Sequence, residues 1–333
     1  MRRIAKWLFY QMGGLKYLQF ANRKNVRILM YHSIGSVEPN FFPEDMSLPA
    51  QAFVSQMRYC REHYNPISLS EFVGRQRQGR VLPERAVIVT IDDGFKNCFT
   101  TAFPILREYQ IPATVFPISN WVFDRRMCWL HRFFYLLSKV AIGCIANALA
   151  AEVKVTLPQI TNQLHERVMV EQVKDILKYK VFNKHELLDH LYVQLDVDIP
   201  AGFADTLYLS ADDLYVMSKN GIEIGSHGCT HSPVSTLNPK QLIEELTKSK
   251  LMLEDCIGKE VRSFAYPFGS TRDLGDVRHI LKESGYQCAV TSRFGLVNST
   301  DDIYMLNRCK VAGDEDSIWE EVLGVELSPW LKR

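Results

Sequence analysis

The sequence predicts an α/β fold built on parallel strands, either a barrel or a sheet, and three observations carry that prediction. Short apolar runs rich in β-branched residues alternate with segments whose apolar residues recur at helical spacing. The clearest run, Ala86-Val-Ile-Val-Thr-Ile91, is continuously apolar, as suits a parallel strand covered on both faces. The polar residues His32, Asp92, Asp93 and His227, and the turn at Tyr266, each follow directly on such a run. In α/β barrels that is the end where active sites form.

Val26 to Tyr31 is the first expected strand, and a helical face over about 50–64 carries Phe53, Met57 and Cys60. After Ala86–Ile91, Asp92-Asp93-Gly94 ends the strand and a helix runs through Ala102 and Leu106. Ala113–Phe116 is the next strand. Over roughly 124–205 the pattern turns mainly helical, with Val168, Val173, Ile176 and Leu177 at helical spacing, which marks an insertion. Ser210 and Asp213 then resemble a capping box, and that helix ends near Asn220-Gly221. Ile222–Ser226 reads as a strand leading into His227. Asn238 and Pro239 open a helix as its cap and first residue. A strand at Val261–Ala265, a helix over about 276–284 and a strand at Cys288–Thr291 complete the pattern.

Composition excludes some functions. The 333 residues are 47% hydrophobic and 23% charged, enough to bury a large core. The net charge of +1, from 39 basic and 38 acidic residues, offers no field for nucleic acid. The eight cysteines form no CxxC pair and read as reduced thiols of a cytosolic protein. The N-terminal segment, 1–25, is basic and amphipathic. Arg2, Arg3 and Lys6 precede Trp7–Tyr10, and Leu15, Tyr17, Leu18 and Phe20 follow. Gln11, Gly13, Gly14 and Lys16 interrupt it, so it lacks the clean apolar run of a secretory signal and the ~20 apolar residues of a membrane span. It either lies in a bilayer interface or packs as a helix on the outside of the domain. These features place the chain in the cytoplasm, or peripherally on the inner face of the membrane.

The chemistry gathers at two places. His227-Gly-Cys-Thr-His231 sets two imidazoles four residues apart, a spacing that on a helical turn puts both on one face toward one ion. Cys229 is offset by two from each and points elsewhere. Asp92 and Asp93 are adjacent carboxylates that need compensation, one toward a cation and the other toward solvent or substrate. Two histidines and one aspartate make a three-ligand site with open positions. Zinc accepts it, as do cobalt, nickel and ferrous iron.

Thr90-Ile-Asp-Asp-Gly94, Ser226-His-Gly-Cys-Thr-His231 and Phe264-Ala-Tyr-Pro-Phe-Gly269 together resemble, in order and spacing, the motifs of polysaccharide deacetylases, the NodB-homology enzymes of carbohydrate esterase family four. The resemblance implies a distorted (β/α) barrel over 26–323, interrupted by the helical insertion, and hydrolysis of an N-acetyl group on a sugar. It implies Asp92 as base, Asp93, His227 and His231 as ligands of a divalent metal, with zinc first, and the backbone N–H of Phe268 as oxyanion donor. Tyr266 and Pro267 would border the substrate. Three departures stand out. Ala265 and Phe268 replace the family's usual arginine and tyrosine, and its C-terminal Leu-x-His is absent, the chain having Leu306-Asn-Arg308 there. Tyr31-His32 resembles the early Tyr-His of a permuted branch, the poly-N-acetylglucosamine deacetylases, which implies His32 as the general acid. Arg308 is then the replacement for the missing arginine, orienting Asp92, or else a surface ion pair. The implied partner is an N-acetylated saccharide, polymeric or lipid-linked. Trp129, His131 and Arg132 could bind sugar or pack within a helix, and packing is the simpler reading. Three rivals remain: a saccharide-binding homologue without activity, a deformylase of a lipid-linked aminosugar, and a membrane-associated assembly protein organised by the insertion.

Overall fold

The computed structural model describes residues 2–35, 47–154, 163–181, 183–269, 277–311, 322 and 325–326. They fall into two compact units, one built from residues up to 125 and from 207 onward, the other from 126–206. Parts of the expected insertion (155–162 and 182) and the expected helix start at Asp276 lie outside the described residues.

The first unit begins with helices α1 (Arg2–Gln11) and α2 (Gly14–Ala21), then strand β1 (Arg27–Tyr31). The short strands β2 (Ser33–Ile34) and β3 (Ser47–Leu48) pair with each other. Helix α3 (Ala50–His63), strand β4 (Asn65–Pro66) and helix α4 (Leu69–Arg77) lead to β5 (Ala86–Asp93). A π-helical turn at Cys98–Ala102 runs into α5 (Phe103–Glu108), followed by β6 (Ala113–Pro117) and α6 (Ser119–Phe123). The second unit supplies α7 (Trp129–Lys139), α8 (Ile142–Val153), α9 (Gln163–Tyr179), α10 (Lys184–Gln194) and α11 (Phe203–Leu207). The first unit resumes with α12 (Ala211–Lys219), β7 (Glu223–Ile224), α13 (Pro239–Ile257), β8 (Ser263–Ala265), α14 (Val277–Glu283), β9 (Cys288–Phe294) and β10 (Leu306–Lys310).

Seven strands pair in the order β7-β6-β5-β1-β10-β9-β8, all parallel. A parallel bridge between Ser226 and Phe264 joins the two outer strands. There the Ser226 N–H donates to the Ser263 carbonyl, and the Ala265 N–H donates to Ser226, each at 2.9 Å. The sheet is therefore a nearly closed (β/α) barrel. Parallel strands are buried on both faces, which is why β1, β5 and β6 are apolar and buried along almost their whole length. The helices start where local chemistry directs. Ser210 and Asp213 form a reciprocal capping box on α12, and Asn238 and Gln241 form one on α13, with Pro239 at its first position. Leu242, Leu246 and Leu253 of α13 face the core.

The structure corrects several boundaries. Strand β5 runs through both aspartates rather than ending before them. Only Glu223–Ile224 of the expected strand at 222–226 is regular, with Ser226 rejoining by its single bridge. Strand β10 was not foreseen. It carries a buried arginine, Arg308, together with Asn307 and Lys310 among its five residues, and so lacks the apolar run by which a barrel strand is recognised.

Arg27 opens β1 and pairs in register with Val87, near the start of β5 and at the opposite end of that strand from its aspartates. Its fully buried guanidinium meets Glu326, itself fully buried, at 2.7 and 2.9 Å. Tyr64 and Asn22 donate to the same carboxylate. These bonds tie α2, β1, the chain after α3 and a point near the C-terminus into one network. Replacing Glu326 by Leu leaves a buried cation unpaired. It should cost about 3–5 kcal/mol in urea unfolding, most of it recovered when Arg27→Met is added. A Glu326→Leu variant as stable as the wild type would show that the network contributes nothing.

In the second unit, Trp129, His131 and Arg132 are all buried. Arg132 pairs with Asp189 at 2.6 Å, and its carbonyl accepts from Tyr192 at 2.7 Å. The ion pair of Arg132 thus lies within that unit.

Candidate active site and metal centre

Strand alternation would send Asp92 and Asp93 to opposite faces. Here the chain leaves extended geometry at the second of them. Asp93 takes a positive φ of 73°, a conformation that aspartate tolerates better than most residues, and Gly94 follows at 85°. A Cβ on Gly94 would lie 3.0–3.1 Å from Pro117, so the chain passes closely there. The strand thus ends with two buried carboxylates, each in its own environment.

Asp92 is held by Arg308. The two guanidinium nitrogens donate to its two oxygens at 2.7 and 2.6 Å. Arg308 also donates to the Thr90 hydroxyl and, through Nε, to the Thr291 carbonyl. Burial raises the Asp92 carboxyl, but the charge of Arg308, aided by His227 and His32, outweighs it and leaves the group below its ordinary range. Asp92 is therefore an oriented, ionised carboxylate in a dry setting. A planar guanidinium matches a carboxylate bidentately, which a lysine could not do.

The HxxxH segment is not a helical turn, as its spacing alone suggested. It is a loop that continues from β7. Gly228 and His231 both have positive φ, 81° and 58°. The loop is folded around the half-buried carboxylate of Glu245 on α13. Its Oε1 accepts from the Cys229 and Thr230 N–H groups at 2.8 and 2.7 Å, and from the Thr230 hydroxyl at 3.0 Å. Nothing in the sequence singled out Glu245, because its partners lie 15 and 16 residues back in the chain and no motif contains it. Cys229 is buried with its thiol on the Glu245 carbonyl, outside the ligand set.

His227 Nδ1 lies 2.8 Å from the Ala265 carbonyl. A carbonyl only accepts, so Nδ1 carries the proton and Nε2 keeps its lone pair. That Nε2 faces Asp93 Oδ1 at 3.4 Å, and His231 Nε2 faces it at 3.6 Å. The three candidate donor atoms lie within 4.8 Å of one another. Asp93 Oδ1 is buried without a hydrogen-bond donor among the described residues. Donors about 2.0–2.2 Å from a tetrahedral cation stand roughly 3.3–3.6 Å apart. The residues present therefore fit a divalent metal. Burial raises the Asp93 carboxyl, but the protonated form of His227, with those of His32 and His231, overrides it and holds the group well below the usual range; a cation in place of that proton would act in the same sense.

Phe268 sits in the turn after β8 with φ 58°, next to Gly269, where a Cβ would collide with Ser292. This left-handed turn costs energy for a phenylalanine and is held by the packing around it. Its ring lies 4.5 Å from that of His231, and Trp121 meets the same imidazole edge-on at 5.7 Å. The Phe268 side chain thus walls the candidate ligand His231, in addition to any use of its N–H. His32 follows β1, half-buried, and its charge reaches both aspartates. Tyr266 is placed differently from expectation. Its ring is buried in the core against Phe264 and its hydroxyl donates to the Tyr304 carbonyl, so its side chain does not line the site. Pro267 is buried beside it.

A family profile described as polysaccharide deacetylase matches residues 79–289, more than half of the chain. The chain is similar to the poly-β-1,6-N-acetyl-D-glucosamine N-deacetylase of Escherichia coli K12, 40% identical over 78 residues, which is 23% of this chain and 12% of that enzyme. It is 21% identical to the putative polysaccharide deacetylase YxkH of Bacillus subtilis, over 86% of this chain and 71% of that one. Among solved structures, the Streptococcus pyogenes deacetylase PplD in complex with acetate superposes with a TM-score of 0.58 at 16% identity, covering 90% of this chain and 98% of that one. IcaB from Ammonifex degensii gives 0.55 at 17%, covering 91% and 97%. These two share the barrel fold.

Proposed function

The chain belongs to the polysaccharide deacetylase family, and on that premise we propose that it is a metal-dependent N-deacetylase of an N-acetylated saccharide. The observation that carries the reading is the pairing of two unlike carboxylates. Asp93 Oδ1 stands among two imidazole nitrogens, while the adjacent Asp92 is clamped by Arg308. One is suited to hold a cation and the other to move a proton.

A divalent cation held by Asp93, His227 and His231 would polarise the acetamide carbonyl and acidify a water. Asp92, ionised and aimed by Arg308, is placed to take the proton from a water as it attacks the carbonyl carbon. The Phe268 N–H donates to the oxygen as it gains charge. His32 passes a proton to the nitrogen as the C–N bond breaks, releasing acetate and the free amine. Glu245 and the Ala265 carbonyl fix the two imidazoles beforehand.

The names of the E. coli and Bacillus relatives support a polysaccharide substrate, and the E. coli name supports one of the poly-β-1,6-N-acetyl-D-glucosamine type. A lipid-linked precursor of a surface glycan presents the same acetamide. The test is acetate release from β-1,6- and β-1,4-linked N-acetylglucosamine oligomers. Release should stop with chelator and return with zinc. Formate in place of acetate, from an N-formyl sugar, would assign a deformylase. Oligomer binding without any product would assign a saccharide-binding homologue.

A further inference from the structure

We infer that the outer face of α1 and α2 docks on an anionic lipid surface. The inner face of α2 is fully committed. Leu15 and Leu18 are buried, Gln19 donates to Tyr59 and Tyr64, and Asn22, just after the helix, donates to the buried Glu326. The other side of α2 exposes Tyr17, at 66%, and Phe20, at 57%, the latter beneath the Arg23 guanidinium at 4.1 Å. In the preceding helix and turn Trp7 and Met12 are exposed too, Met12 at 85%. Exposed large apolar side chains clustered in two consecutive short helices mark an interaction site.

Charge decides the partner. The first 25 residues carry six Lys and Arg, at positions 2, 3, 6, 16, 23 and 24, and no Asp or Glu. Arg23 is matched by Glu84 at 3.1 Å. Two copies meeting through this face would set these cations against each other, which opposes a symmetric dimer. An anionic bilayer complements them, and its headgroup layer is where tryptophan and tyrosine rings settle. With 10 and 8 residues the two helices are far short of the ~20 needed to cross, so they lie in the interface. The network at Glu326 puts this surface near the start of β1, away from Asp92 and Asp93 at the far end of β5.

The full chain is floated with vesicles of phosphatidylcholine alone or with phosphatidylglycerol added, a readout independent of any catalytic assignment. Binding is expected only to the anionic vesicles. It should weaken about tenfold or more between about 0.1 and 1 M salt, as the Debye length falls from ~10 to ~3 Å. Tyr17→Ser with Phe20→Ser should weaken it at least tenfold at an unchanged unfolding midpoint, roughly as expected when two apolar groups leave the interface. Lys16→Glu, on an exposed position of α2, should weaken it too, while Val81→Ser, elsewhere on the surface, should float like the wild type. No flotation, equal flotation with both vesicle types, or wild-type behaviour of both α2 variants overturns the inference. So does a wild-type dimer that Tyr17→Ser with Phe20→Ser dissociates, which would name a second copy as the partner.

Discussion

Asp92→Asn should lower acetate release roughly 10²–10⁴-fold, the usual contribution of a positioned general base, while bound metal stays at the wild-type level. The two effects separate because Asp92 is not among the three donor atoms around Asp93 Oδ1. The amide keeps the shape of the carboxylate but cannot take a proton from water. Arg308→Met probes the same pair from the other side. The guanidinium's charge pulls the Asp92 carboxyl down against the burial that raises it. Without it the carboxyl rises, so the ionised, active form needs a higher pH, and the acid limb of the kcat/KM profile should move upward. An Asp92→Asn enzyme with full activity would remove Asp92 from the chemistry, and an unmoved acid limb in Arg308→Met would remove Arg308 from its positioning role.

His231→Ala should be as damaging by a different route, through loss of the metal. Disturbing groups behind a metal ligand costs about 10–100-fold in affinity, and deleting one of three ligands should exceed that. Elemental analysis after dialysis should then find little metal, and acetate release should fall by about 10³-fold or more, as several kcal/mol of carbonyl polarisation is lost. The variant should keep its stability, because the His231 imidazole lies at the barrel mouth between Trp121 and Phe268 rather than in the core. Retention of one equivalent of metal by His231→Ala would refute the three-ligand centre. Reconstituting the wild type with zinc, cobalt, nickel or ferrous iron in turn would then rank the metals by activity.

Much of the barrel was legible in the chain because its signals are local. Ala86–Ile91 reads as a buried strand from its own side chains, and Ser210, Asp213, Asn238 and Pro239 announce helix starts within three or four residues. The candidate ligands and base were legible as motifs for the same reason. Their geometry was not legible in the same way. Helical spacing at His227 and His231 suggested a shared face, whereas the two imidazoles converge because a loop with positive φ at Gly228 and His231 wraps Glu245. The Tyr266 ring, read beside the substrate, turned inward because an aromatic residue directly after a barrel strand can complete the core.

By itself the sequence marked the candidate residues of the site and most of the segments that become strands and helices, since propensity, capping and apolar periodicity act over a few residues. Only the tertiary structure decided how those residues are used. Arg308 reaches Asp92 across 216 positions, and Glu326 reaches Arg27 across 299. Such contacts exist only once the parallel strands have closed into a barrel and set β10 beside β1. Nothing within a short window of sequence encodes which distant charge will neutralise a buried one. That choice is made by the geometry of closure, where an unpaired buried charge costs too much to persist.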